Sequence, residues 1–183
     1  MAISYSNMME LGTRAPEFTL LDTTSGLDVS LPRANSVEAV VIMFICNHCP
    51  YVHHVNEKIV QIAKTYAKKG AEFIAISSND IKNYPQDSPE RMKATALENG
   101  YPFPYLYDET QETARAYGAE CTPDFFVFDR NLKCVYRGRM DETRPNKGVP
   151  TGKDLIDAID AVLNGQKPFV EQFPSMGCGI KWK

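Results

Sequence analysis

A chain of 183 residues, 43% hydrophobic and 23% charged, is long enough to bury one sizeable core and suits an ordinary globular enzyme. Its 20 basic and 23 acidic residues give a net charge of −3; the basic ones are scattered, which excludes the electrostatic footprint of a nucleic-acid or anionic-membrane partner. The longest apolar run is about seven residues against the roughly 18 needed to span a bilayer, and Met1 to Leu11 lack a basic start followed by an apolar stretch, so neither a membrane segment nor an export signal is expected.

In chain order, Phe18 to Leu21 and Asp28 to Leu31 read as a hairpin turning around Ser25-Gly26. Ala39 to Ile45 is a continuous apolar run and predicts a buried strand. Val52, Val55, Ile59, Ile62 and Tyr66 recur at helical spacing with Gly70 beyond them, which predicts a helix from about Pro50 to Lys69. Glu72 to Ser77 predicts a strand, Asn79 to Ser88 a mobile polar loop, Pro89 to Asn99 a helix ended by Gly100, Tyr105 to Tyr107 a short strand and Glu109 to Tyr117 a helix. Phe125 to Phe128 and Lys133 to Arg137 predict an antiparallel hairpin, with Cys134 on the face of Leu132 and Tyr136. Asp141, Glu142 and Arg144 read as a solvated charged loop, Gly152 to Leu163 as a closing helix, and the tail from Gly165 as irregular. No repeat or composition shift marks a second domain. The expectation is one α/β domain over 1–183, its core at about 11–163 and its tail at 165–183 irregular, with a central mixed sheet flanked by helices and an N-terminal hairpin extension.

The feature richest in chemistry is Cys46-Asn47-His48-Cys49, between the apolar strand and the helix. A helix N-terminus carries unpaired N–H groups and partial positive charge, which favour thiolate over thiol, so this CxxC points to thiol–disulfide exchange. Residues three apart on a helical turn are neighbours and can close a small disulfide ring. Five cysteines without an export signal argue for thiols kept reduced unless they are working ones, and so for a cytoplasmic setting. Pro50 disfavours helical backbone at Cys49, so regular helix is expected to begin only there.

Gly12-Thr13-Arg14-Ala15-Pro16-Glu17-Phe18-Thr19-Leu20, the CxxC after an apolar strand, and Cys121-Thr122-Pro123-Asp124-Phe125-Phe126-Val127-Phe128-Asp129 together resemble the thioredoxin-fold superfamily. Within it the chain is most similar to the peroxiredoxin-like, AhpC/TSA-type branch that carries CxxC, over about Leu11 to Leu163, and its ending Pro174 to Trp182 resembles tails of that branch. The resemblance implies a thiol–disulfide oxidoreductase in which Cys46 attacks a disulfide and Cys49 resolves the mixed disulfide. It also implies a cis peptide before Pro123, facing the dithiol, with the Thr122 backbone pairing an incoming extended chain. His48, next to the resolving thiol, is expected to modulate Cys46 and make the couple more oxidising than thioredoxin's. A thiol reductant and a protein or small-molecule disulfide are the implied partners, and no organic cofactor or metal is implied.

Departures from the relatives matter. Aligned on Cys49, the peroxiredoxin Thr position holds Cys46 and the Pro position Ile42; with the strands aligned on Asp129, the Arg position falls on Pro123. Antioxidant peroxidase activity through Cys49 is therefore the alternative rather than the main reading, since losing such preorganised donors costs on the order of 100-fold. The acidic residue and the Trp that precede the thioredoxin dithiol are replaced by Val40 and Ile45, leaving proton handling to His48, Asp124 or water. Cys178, between Gly177 and Gly179 in a tail expected to be exposed, and Cys121, close to Pro123, are candidate auxiliary thiols. Two further alternatives are a zinc site of Cys46, Cys49 and His53, with His48, His54 and Cys178 as further ligands, and a redox-inactive module that binds partners around Phe103-Pro104-Tyr105.

Overall fold

The apolar run after the hairpin becomes β4 (Ala39–Phe44), buried at all six positions. Its alternation sorts two cores: Ala39, Val41 and Met43 face one, Val40, Ile42 and Phe44 the other. A strand covered on both faces has to be apolar throughout, which is why no polar residue interrupts it. The computed structural model describes residues 3–32 and 37–183, so Met1 and Ala2, at the start of the stretch read for an export signal, lie outside it.

Around β4, strands β2 (Phe18–Asp22), β3 (Asp28–Leu31), β5 (Ala71–Ser77), β6 (Tyr105–Tyr107), β8 (Asp124–Asp129) and β9 (Cys134–Gly138) build a sheet ordered β3-β2-β6-β5-β4-β8-β9. β4 runs parallel to β5 and antiparallel to β8, so the sheet is mixed. Helices α1 (Pro50–Ala67), α2 (Pro89–Asn99) and α4 (Lys153–Leu163) supply Val55 and Ile59, Met92 and Ala96, and Leu155 and Ile159 to the core of Val41 and Met43. Ala114 and Tyr117 of α3 (Glu112–Tyr117) close the other core together with Phe18 and Leu31 of the N-terminal hairpin. The fold is α/β and thioredoxin-like, with the hairpin added at one edge of the sheet.

The sequence-based reading misses several elements. The helix expected from Glu109 begins at Glu112, because Asp108 turns the chain and its carboxylate accepts the Ala114 N–H at 2.9 Å. A register shift in the β8–β9 pair places Cys134 in the core of Ile42 and Tyr136 in the core of Val41, not on one face. Asp141 is not a solvated acid: it is buried and accepts the N–H groups of Thr143, Thr151 and Gly152 ahead of α4.

Asn79 to Ser88 does not stand off as a loose loop; it folds inward through a 3-10 turn at Pro85–Asp87 that buries Asp87. The tail is not irregular throughout either. Met176–Gly179 forms β10, which pairs antiparallel with β1 (Ile3–Tyr5) and β7 (Cys121–Thr122) in a second sheet ordered β1-β10-β7. Among the described residues no helix is long and apolar enough to cross a membrane.

Candidate active site

β4 ends at Phe44 and α1 starts at Pro50, so the CNHC segment is the turn between them. Cys49 is the N-cap residue, extended at φ −83° and ψ 120°, and Pro50 occupies the first helical position, as the proline requires. Opposite stands the turn into β8, where the Thr122–Pro123 peptide is cis. The Thr122 hydroxyl is 3.4 Å from Cys46 Sγ and its carbonyl accepts the Cys49 thiol at 3.1 Å. Cys46, Cys49, Thr122 and Pro123 therefore meet in one buried cluster; Cys46 retains 2% exposure and Cys49 none.

The dithiol shares its protons unequally. Cys49 is lowered to about 5, chiefly because the Cys46 thiol donates to it; burial opposes this, and the Cys178 thiol, the Val52 amide and the Thr122 hydroxyl assist. Cys46 is pushed well above the thiol range by giving that same hydrogen bond, by burial and by the Asp87 carboxylate. These directions favour charge on Cys49 over Cys46, while the bond that Cys49 donates to the Thr122 carbonyl belongs to its protonated form. Pro50 delays the helix and makes Cys49, not Cys46, the residue at its N-terminus. The first-turn amides of that helix, Val52's among them, favour charge at Cys49.

His48 reaches the site indirectly. Its Nδ1 is 2.6 Å from Asp87 Oδ2, and its ring stacks on Tyr84 with centroids 5.5 Å apart. Burial would raise Asp87, but hydrogen bonds from His48, from Asn79 Nδ2 and from the Asn47 N–H, the last two at 2.8 Å, hold it below the usual carboxylate range. A positive His48 would thus face a carboxylate that itself disfavours the Cys46 thiolate. Tyr105 completes the turn by donating to Asn47 Oδ1 at 3.1 Å. Sequence reasoning missed Asp87, Asn79, Tyr84 and Tyr105. Asp87 lies just before the capping Ser88 and Pro89 of α2, where an acid is readily assigned to the helix start.

The remaining candidates separate cleanly. His53 Nε2 bonds the Asn47 carbonyl and His54 Nε2 bonds Thr143 Oγ1 at 3.0 Å, so the imagined set of Cys46, Cys49 and His53 is not brought together around an ion. Cys46, His48 and Asp87 do each offer one ligand atom within 4.8 Å, but both Asp87 oxygens already accept hydrogen bonds and a tetrahedral site needs a fourth ligand. Of Phe103-Pro104-Tyr105, Phe103 and Tyr105 are buried and Pro104 is partly exposed. Cys121 faces the Pro123 and Ser175 carbonyls at 4.0 Å rather than bonding to the dithiol. Cys178 is not on an exposed tail: it is 4% exposed and its thiol hydrogen-bonds Cys49.

Beside Pro123 opens a cleft of about 240 Å³, walled by Tyr51, Val55, Phe125 and Met176 with His54 and Arg139 at its polar side. Arg139 is held by Asp154 at 2.6 Å, and Arg137 by Gln172 and the Met9 carbonyl, so these two arginines of the β9 end are engaged elsewhere.

Among solved structures, an uncharacterized conserved protein from Geobacillus kaustophilus is 56% identical over 100% of this chain and 97% of its own, with a TM-score of 0.97. A hypothetical protein from Sinorhizobium meliloti is 44% identical over 98% of both chains, with a TM-score of 0.95. A putative thiol:disulfide interchange protein DsbE from Chlorobium tepidum shares 23% identity over 85% of this chain and 99% of its own, with a TM-score of 0.65, a likeness of fold. No curated protein matches the chain. The AhpC/TSA family model matches residues 11–137, the span that holds the hairpin, the dithiol and the Thr122–Pro123 turn, and the chain belongs to the AhpC/TSA family.

Proposed function

We propose that the protein is a thiol–disulfide oxidoreductase whose Cys46–Cys49 pair cycles between dithiol and disulfide. The observation that carries this reading is the single residue Thr122, whose hydroxyl and carbonyl contact one thiol each. The likeness in fold to a thiol:disulfide interchange protein supports it.

The singly ionised pair holds one proton, resting on Cys46. As a disulfide approaches, that proton passes to Cys49 along the hydrogen bond between them. The Cys46 thiolate so formed is the stronger nucleophile, because its parent thiol is the weaker acid, and Cys46 is the sulfur that keeps some exposure. It attacks one substrate sulfur, expelling the other as thiolate and forming a mixed disulfide. Cys49 then gives the proton it received to the first departing substrate sulfur and, as thiolate, attacks Cys46 Sγ; the Cys46–substrate bond breaks, the second substrate sulfur leaves as thiolate and Cys46–Cys49 closes. Two electrons pass to the substrate, and a cytoplasmic thiol reductant returns them.

Equilibration in glutathione buffers with thiol trapping and mass spectrometry, on wild type and Cys46→Ser, tests the reading. A reversible two-electron couple at Cys46–Cys49 is expected; a pair that never oxidises removes it. The position of Cys49 at the N-terminus of α1, where the helix field favours thiolate, supports peroxide as a second substrate. Peroxide consumption that survives in Cys46→Ser and vanishes in Cys49→Ser would establish it.

A further inference from the structure

The edge of β7 beside the dithiol is already occupied. β10 lies on it antiparallel, with Cys178 opposite Thr122 and Gly179 opposite Cys121, while β1 covers the far edge of β10 with Ile3 opposite Cys178. The approach is as close as backbone allows. A Cβ on Gly177 would stand 2.0 Å from the Thr122 carbonyl oxygen, and one on Gly179 would stand 2.8 Å from Ser4 Oγ. Both neighbours of Cys178 are therefore glycines for contact, not for looseness.

The result is that Thr122 touches all three cysteines: its hydroxyl reaches Cys46, its carbonyl Cys49, and its backbone is in register with Cys178. Cys49 is the common neighbour, hydrogen-bonded to Cys46 on one side and to Cys178 on the other, and the three thiols share one buried cluster. The edge on which a disulfide-bearing chain would pair thus carries the protein's own cysteine.

We propose that Cys178 is a third redox thiol of this site, which exchanges with the Cys46–Cys49 disulfide; the inference rests on the dithiol reading above. The Cys178 sulfur attacks Cys49 Sγ, the Cys46–Cys49 bond breaks, a Cys49–Cys178 bond forms, and Cys46 leaves as a thiolate that takes up the proton given up by Cys178. No electron enters or leaves. The oxidation moves one sulfur inward, Cys46 is restored as a thiol at the mouth, and the tail strand is tied covalently to the start of α1.

The test uses the full chain, equilibrated with reduced and oxidised glutathione, acid-quenched, alkylated after unfolding and mapped by mass spectrometry. Wild type is expected to show both Cys46–Cys49 and Cys49–Cys178, with Cys46 partly alkylatable while the protein is oxidised. Cys178→Ser should show only Cys46–Cys49 and lose that alkylation, and Cys46→Ser should trap Cys49–Cys178. Gly177→Ala, which pushes β10 off Thr122, should lose the Cys49–Cys178 bond and keep Cys46–Cys49, with circular dichroism confirming that it folds. If Cys178 stays fully alkylatable in every buffer while Cys46–Cys49 forms, the third-thiol inference is overturned and the dithiol reading stands. If neither disulfide forms, both are overturned.

Discussion

Asp87 Oδ2 and His48 Nδ1 stand 2.6 Å apart, and the carboxylate so engaged is the one whose charge bears on Cys46. The histidine of the motif therefore acts through an acid that lies far from it in the chain.

Neutralising that acid should raise the reduction potential. In Asp87→Asn the ionised dithiol is no longer repelled, and relief of about 1 kcal/mol corresponds to an upward shift of roughly 20 mV for a two-electron couple. His48→Gln leaves the carboxylate without its ring partner and should shift the couple downward. Glutathione equilibration of both variants measures the two shifts, and equal potentials in wild type and both variants would remove Asp87 from the chemistry.

Thiolate absorbance in the ultraviolet should report Cys49 first. A titration step near pH 5 is expected in reduced wild type, from the lowered Cys49. It should disappear in Cys49→Ser and move to higher pH in Cys46→Ala, which deletes the largest donor to that sulfur. A low step that persists in Cys49→Ser would place the charge on Cys46 after all.

Gly177→Ala should cost about 1–3 kcal/mol in urea unfolding, the range of an overpacked site, because its Cβ would meet the Thr122 carbonyl at 2.0 Å. The conformation at Gly177 is not left-handed, so the loss is steric. A variant as stable as wild type would show that β10 has room to shift.

Asp124 gives the stability a pH dependence of its own. The carboxyl is buried and pushed up to about 7 by desolvation, only partly offset by hydrogen bonds from the Ser6 hydroxyl and the Phe125 amide. Its folded value exceeds the unfolded one, so the folded state binds the proton more tightly. That contribution is complete below the ordinary aspartate value of 3.8 and is lost as pH rises through about 7. Asp124→Asn should therefore gain on wild type between pH 5 and pH 8, by up to roughly 4 kcal/mol, with no gain at pH 4. Denaturation at the three pH values checks this, and a constant difference would contradict it.

Much of the frame is visible in the chain. The alternation of β4 and the spacing of Val52, Val55, Ile59 and Ile62 each encode an element through its own period, and CxxC marks the junction between them. Pro123 came from resemblance, since nothing local distinguishes it. Asp87 and β10 were hidden for a physical reason: both act through partners remote in sequence, and Met-Gly-Cys-Gly has the composition of a turn until Thr122 supplies the opposite edge. The opposite directions in which the two thiols are shifted were equally hidden, because they depend on the donors around each sulfur.

The small sheet β1-β10-β7 joins residues from the start, the middle and the end of the described chain through strands of two to four residues. So short a patch opens more readily than the seven-stranded core, and its opening uncovers Cys49 and Cys178 together. The rate at which bulky reagents reach Cys49 and Cys178 should then be set by fraying of the tail. Reactivity of those two thiols is expected to follow local folding free energy, and mild denaturant should accelerate it well before the domain melts.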